Sequence, residues 1–401
     1  MDSEHHISFL LLFGFLNLAL FAAGYLGKLL RFPGIFFYIL FGIFLGKFIH
    51  ETEAIEIFSE IGIVLLFFYL GLEFNIDRAV KTAKRIWSVG LIDFVLGFGV
   101  VSIAMYLMGF DLFTSLLTGG VAYASSSAIT TKIIVDNHRI ANPETELILG
   151  LMVFEDIIAP ILLAVLAAFS AGGELSIMNI FLILVKVAAV FAFSIGVAVL
   201  FKNYIAMFVD AFIEEEIFTL FSLGGLIFFA GFTQYIGLSE ALGAFLMGMI
   251  VSESGKAHDI EKVMFAIRDL AVAIFFFLFG AGIQFSGEFD KKILIALVVV
   301  VILSILGKFL TGYIGGLIYG LSKKKAFETG LSIINRGEFS VVMSKFAHPK
   351  FIPFIGIYVL IMAFLGIIFA QFAPQISNII FPKKKKKKKR KKNKDIPSYA
   401  T

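Results

Sequence analysis

The feature that most limits what this chain can fold into is its rhythm of apolar blocks. Runs of about 20 residues, the length a helix needs to cross a bilayer, recur from Ile7 to Phe381 with only short polar breaks between them. With 59% of residues hydrophobic and 16% charged, most of the surface meets lipid rather than water. Only helices and closed barrels satisfy their backbone in hydrocarbon, and blocks this long and apolar read as helices. The expected fold class is an all-α polytopic membrane protein, with residues 1–382 forming a single transmembrane domain.

Boundaries drawn at charged or Gly/Pro-marked breaks predict about 13 transmembrane helices. They run Ile7–Leu30, Pro33–Ile49, Ile57–Phe74, Ile86–Gly109, Leu112–Val135, Glu144–Ser170 and Ile177–Phe201, then Glu216–Ile236, Leu238–Val251, Ile267–Phe285, Lys291–Gly320, Lys325–Ala347 and Phe351–Phe381. Lys and Arg collect on the cytoplasmic side of short loops, and here they alternate with the spans. Breaks after odd-numbered spans hold Lys28, Arg31, Arg78, Lys81, Lys84, Arg85, Lys132, Arg139, Lys202, Lys256, Lys262, Arg268 and Lys323 to Lys325. Breaks after even-numbered spans hold only Lys47, Lys291, Lys292, Lys345 and Lys350. The pattern predicts an external N-terminus and a cytoplasmic C-terminus.

The almost unbroken basic run from Lys383 to Lys394 reads as a solvated, disordered cytoplasmic tail over 383–401. Such a tail attracts anionic lipid headgroups; a nucleic-acid arm is not expected. The absence of cysteine excludes disulfides, thiolate catalysis and cysteine-ligated metals. No nucleophile–base set, metal-ligand cluster or phosphate loop stands out in the polar segments, so neither an enzyme nor a cofactor is expected. The N-terminus lacks the basic flank and cleavage site of a signal peptide, so the first block reads as a retained helix. No nucleotide-sensing domain is expected after the last span.

Placing an Asp, Lys or Arg at the centre of a spanning helix costs about 2.5–3.5 kcal/mol, so charges inside the apolar blocks carry most of the information. Glu155 and Asp156 are adjacent near the middle of the sixth span, and Lys308 sits at the middle of the eleventh. Adjacent helical positions diverge by about 100°, so one carboxylate can face a cavity while its neighbour meets a partner helix. Lys308 is the obvious counter-ion. A cluster of two acids and one base is expected to exchange protons near physiological pH; the alternative is a buried ion-pair network that only locks helices. Asp93 and Lys186 also lie within spans and read as structural, Asp93 near the cytoplasmic end of its span.

Two spans are interrupted by polar residues. The fifth contains Ala124-Ser125-Ser126-Ser127-Ala128 and the twelfth Asn335-Arg336-Gly337-Glu338. Irregular backbone at membrane depth is tolerated only where protein or a cavity covers it. Breaks seven spans apart, on helices running in opposite directions, fit inverted repeats with two crossing discontinuous helices. Simpler readings are small-residue packing for the serines and a local salt bridge between Arg336 and Glu338.

These residues bring out a resemblance. Tyr69-Leu70-Gly71-Leu72-Glu73, Ala124-Ser125-Ser126-Ser127-Ala128-Ile129, Phe154-Glu155-Asp156-Ile157, Ala241-Leu242-Gly243-Ala244-Phe245-Leu246 with Glu253-Ser254, Phe275 to Gly282, Gly307-Lys308 and Arg336-Gly337-Glu338-Phe339-Ser340 occur in an order similar to that of the second monovalent cation:proton antiporter family, with its Kef-type potassium and NapA-type sodium members. The resemblance implies the NhaA/NapA-like antiporter fold. It further implies an elevator in which a core, here spanning about 86–170 and 291–381, moves against a scaffold that usually forms a homodimer.

In such a protein Asp156 would alternately bind cation and proton, Glu155 would occupy the adjacent position, and Lys308 would pair with Glu155 when no cation is bound. Ser126 and Ser127 would offer oxygen ligands, which hard alkali cations prefer. Arg336 and Glu338 would support the second break. The charge of Glu155 sides with sodium among Na+, K+ and Li+, although Asp and Gln, not Glu, are the family's usual choices there. The expected function is sodium/proton exchange. Potassium/proton exchange is the nearest alternative, and a cation channel or a nontransporting sensor lies further off.

Overall fold

The computed structural model describes residues 9–30, 32–46, 53–73, 86–170, 177–212, 217–283 and 291–382. Among them every regular element is helical. In chain order they are α1 (Phe9–Leu30), α2 (Gly34–Leu45), α3 (Glu53–Leu72), α4 (Ile86–Leu107), α5 (Leu112–Tyr123), α6 (Ser127–Asp136), α7 (Pro143–Ser170) and α8 (Ile177–Phe212). Then come α9 (Ile217–Tyr235), α10 (Glu240–Glu253), α11 (Ala257–Ala281), α12 (Lys291–Ile318), α13 (Lys323–Ser332), α14 (Glu338–Met343) and α15 (Ile352–Ile380). Nine are long and apolar enough to cross a membrane.

Each expected span corresponds to one of these elements or to a broken pair, α5–α6 for the fifth and α13–α14 for the twelfth. Some boundaries differ. α8 continues past Phe201 to Phe212 and takes in Lys202, while α11 starts at Ala257 and includes Lys262 and Arg268. A charged residue at a membrane edge does not stop a helix; loss of backbone pairing does. The expected basic tail and the Arg78 to Arg85 group lie outside the described residues.

Caps show why other ends fall where they do. Asp111 accepts from Thr114 N–H at 2.9 Å to start α5, Ser239 from Ala241 N–H at 3.1 Å to start α10, and Ser322 from Lys325 N–H at 3.3 Å to start α13.

α3 lies between α10 and α11, and α2 packs on α11. These contacts rely on glycine. Gly71 faces the Phe245 carbonyl while Gly248 faces that of Phe68, so the α3 and α10 backbones touch. α4, α5, α7 and the α12–α15 group pack with one another, and α7 also touches α8 and α10. Two interior prolines remove helical hydrogen bonds to the carbonyl four residues back. Pro374 frees that of Ala370, which accepts from Arg139 Nη1 at 3.3 Å. Pro160 removes the corresponding partner of the Asp156 carbonyl, within a helix that continues to Ser170.

Candidate functional site

The two interrupted helices cross at their breaks. Ala124 (φ −78, ψ 132) and Ser126 (φ −79, ψ 112) turn extended between α5 and α6, and residues 334–337 are irregular between α13 and α14. Side chains tie one break to the other. Ser126 N–H donates to Asn335 Oδ1 at 3.0 Å, Ser126 Oγ to Glu338 Oε2 at 3.2 Å, and Ser125 Oγ lies 3.0 Å from the Ile333 carbonyl. Asn335 Nδ2 donates to Thr130 Oγ1 at 2.7 Å. Ser126 also accepts from Ile129 N–H at 3.3 Å, capping α6.

Arg336 and Glu338 do not form an ion pair with each other. The Arg336 guanidinium, fully buried, donates at 3.0 Å to the carbonyls of Ala122, Ile334 and Asn335. It therefore places its charge on the carbonyl-rich ends of both α5 and α13, where a helix carries partial negative charge. Glu338 stands in the first turn of α14, where a helix carries partial positive charge.

The buried ion cluster sits beside this crossing. Lys308 Nζ donates to Glu155 Oε1 at 2.8 Å and to Asp93 Oδ1 and Oδ2 at 2.7 and 2.8 Å; the three side chains have exposures of 0 or 1%. Glu155 is anchored a second time, by Ser125 N–H to Oε2 and by Ser125 Oγ to Oε1 at 3.2 Å. The Tyr123 ring lies 5.3 Å from Lys308 Nζ. Each acid comes from a different helix, Asp93 from α4 and Glu155 from α7, and Lys308 from a third, α12.

Asp156 behaves differently. It is half-buried, and among the described residues no hydrogen bond or ion pair reaches its carboxyl. The groups acting on it electrostatically are acids: Glu155, Glu338 and Glu73. Among the described residues around the breaks, Asp93, Glu155, Asp156 and Glu338 are set with two buried cations, Lys308 and Arg336. With all six ionised, the centre is short of positive charge.

The structure thus joins Glu155 to Lys308 and Ser126 to Glu338 while holding Asp156 apart from Lys308. Ser127 is half-buried at the start of α6. Lys186 reaches the Ile236 carbonyl at 3.1 Å. Asp93, Ser125 and Asn335 enter the centre although none was singled out from sequence as a site residue. The available signals were an acid within a span for Asp93 and polar residues within the breaks for the others.

Residues 16–374 match the family model described as sodium/hydrogen exchanger, transmembrane. The chain is 38% identical over 371 residues to the ammonium/H+ antiporter subunit AmhT of Alkalihalophilus pseudofirmus, covering 92% of this chain and 95% of that protein. It is 35% identical to the K+/H+ antiporter subunit KhtU of Bacillus subtilis, over 83% of each chain. It is 26% identical to the high-affinity Na+/H+ antiporter NhaS3 of Synechocystis, covering 73% of this chain and 64% of that one. Among solved structures, the sodium proton antiporter MjNhaP1 of Methanocaldococcus jannaschii superposes with a TM-score of 0.64 at 18% identity, covering 92% of this chain and 98% of that one.

Proposed function

The chain belongs to the sodium/hydrogen exchanger transmembrane family, a family of multi-pass cation/proton antiporters, and from that premise we propose that Asp156 is its shared site for cation and proton. The observation carrying this assignment is a half-buried carboxylate that meets no cation among the described residues, set beside two crossing helix breaks and near further acids. An anion in that setting needs a positive charge from outside. A proton and an alkali-type cation are alternative ways to provide it, and their competition is the coupling.

Lys308 holds the charge of Glu155, so of the adjacent pair it is Asp156 that stays open to a solution cation. Ser126, Ser127 and the backbone at the break are the oxygen ligands proposed for the cation. Arg336 and Glu338 fix the breaks by balancing the helix ends. The motion proposed is an elevator in which the α4–α7 and α12–α15 groups slide together against the remaining helices. A homodimer, an external N-terminus and a cytoplasmic tail over 383–401 belong to the same reading, as does membership of the second monovalent cation:proton antiporter subfamily.

For the cation, the sodium expectation rested on the charge of Glu155. That charge is already matched by Lys308, which shifts the weight to the relatives. The two with 38% and 35% identity are named for ammonium and potassium, and the one with 26% identity for sodium. We therefore read potassium, or an ion of its size, as the cargo, with sodium second.

The test is purified protein in proteoliposomes carrying an internal pH dye, with K+, NH4+, Na+ and Li+ supplied in turn. Proton movement driven by K+ at lower concentration than by Na+ is expected. A response to Na+ with K+ inert would return the assignment to sodium, and no cation-driven proton movement would overturn exchange altogether.

A further inference from the structure

Lys308 serves two buried carboxylates with one positive charge. Its contacts of 2.7 and 2.8 Å to Asp93 and 2.8 Å to Glu155 leave none of the three exposed beyond 1%. The helices bearing Asp93 and Lys308 touch closely: a Cβ on Gly307 would stand 2.9 Å from the Leu96 carbonyl. Two anions share this one ammonium, which matches the charge of only one of them. Burying an ion this way is costly unless something balances it.

The two acids are not equivalent. Glu155 accepts from Ser125 N–H and is within reach of the Ser125 hydroxyl in addition to Lys308, a donor set that suits an anion. Among the described residues, Lys308 is the only donor to Asp93. The other described groups facing Asp93 are Glu155 on α7, Arg336 in the second break and Tyr123 on α5, whose buried hydroxyl has no partner among the described residues. A π-helical segment, Phe94–Gly99, begins at the next residue of α4, and such segments interrupt the regular helical ladder. α4 thus has a built-in irregularity where Asp93 can shift relative to Lys308.

We propose that Asp93 binds a second exchangeable proton, and that Lys308 alternates between holding both acids and holding Glu155 alone. This rests on Asp156 being the shared cation and proton site. The step is a proton transfer only. A proton from water bonds to an Asp93 carboxylate oxygen and leaves Lys308 paired with Glu155; on release the proton returns to water and the ammonium re-engages Asp93.

The experiment is the pH profile of cation-driven exchange in proteoliposomes for wild type, Asp93→Asn and Asp93→Glu. Asp93→Asn is expected to exchange more slowly, with the steepness of its acid limb reduced by about one proton. An active Asp93→Asn with the wild-type profile overturns the proposal. If Asp93→Asn is inactive, Asp93→Glu decides: exchange with a displaced midpoint supports a titrating carboxylate, whereas a wild-type midpoint or an inactive protein assigns Asp93 to packing. The parent reading fails separately, through an Asp156→Asn variant that still exchanges.

Discussion

Lys308 donates to both carboxylate oxygens of Asp93, at 2.7 and 2.8 Å, across 215 residues of sequence. The same ammonium reaches Glu155 at 2.8 Å, so α4, α7 and α12 are joined through one nitrogen. Asp156, next in sequence to Glu155, stays outside this junction. Two adjacent carboxylates are thereby given different surroundings, one paired with Lys308 and the other half-buried outside that pair.

Removing the ammonium should destabilise the fold, and acid should reduce the damage. Lys308→Gln leaves two buried carboxylates without their cation, a loss of about 3–5 kcal/mol for a broken buried pair. Lowering the pH protonates Asp93, which has lost the ammonium that bonded both its oxygens, and removes that uncompensated charge, so the deficit shrinks as pH falls. Melting of the purified protein in detergent across pH measures this. Equal melting temperatures for Lys308→Gln and wild type at neutral pH would reduce the cluster to incidental packing. Adding Asp93→Asn to Lys308→Gln should recover part of the loss.

Arg336 is not replaceable by Lys. Its planar fork reaches three carbonyls on two helix ends, a geometry that a single ammonium does not reproduce. Arg336→Lys should leave at least one buried carbonyl unpaired, at roughly 1–3 kcal/mol, and should lower exchange along with the melting temperature. A variant with wild-type melting and exchange would show that the carbonyl ends need charge alone.

Gly337 is required where the breaks cross. A Cβ there would stand 2.6 Å from both Cβ and Oγ of Ser126, the residue that links the first break to Asn335 and Glu338. Gly337→Ala should push the breaks apart and sharply reduce exchange while the protein still inserts. Transport assays on equal amounts of membrane-inserted protein check this, and normal exchange would mean that the crossing tolerates a wider gap than the structure holds.

The spans were legible in the sequence because hydrocarbon imposes one length and one backbone solution on every crossing. The breaks were legible too, since Ser125 to Ser127 and Asn335 to Glu338 put polar groups where lipid forbids them. Partners were harder to read. Arg336 and Glu338, two residues apart, suggested a local salt bridge, but the irregular backbone sends Arg336 to the carbonyls of Ala122, Ile334 and Asn335 and Glu338 to Ser126. Asp93 looked like a helix-end acid because its distance from the end of α4 is visible in sequence, whereas Lys308, which faces it, is set by tertiary packing. Helix ends such as Phe212 were missed because α8 continues through Lys202, which hydropathy treats as a boundary.

The central claim is that Asp156 alternately carries cation and proton. Its most direct test compares wild type with Asp156→Asn in proteoliposomes, reading proton movement driven by a potassium or sodium gradient, with circular dichroism and melting to establish that both proteins fold. The account predicts that Asp156→Asn folds and loses cation-driven proton movement to the level of empty liposomes. Exchange by Asp156→Asn at the wild-type rate, with the same dependence on pH, would contradict it.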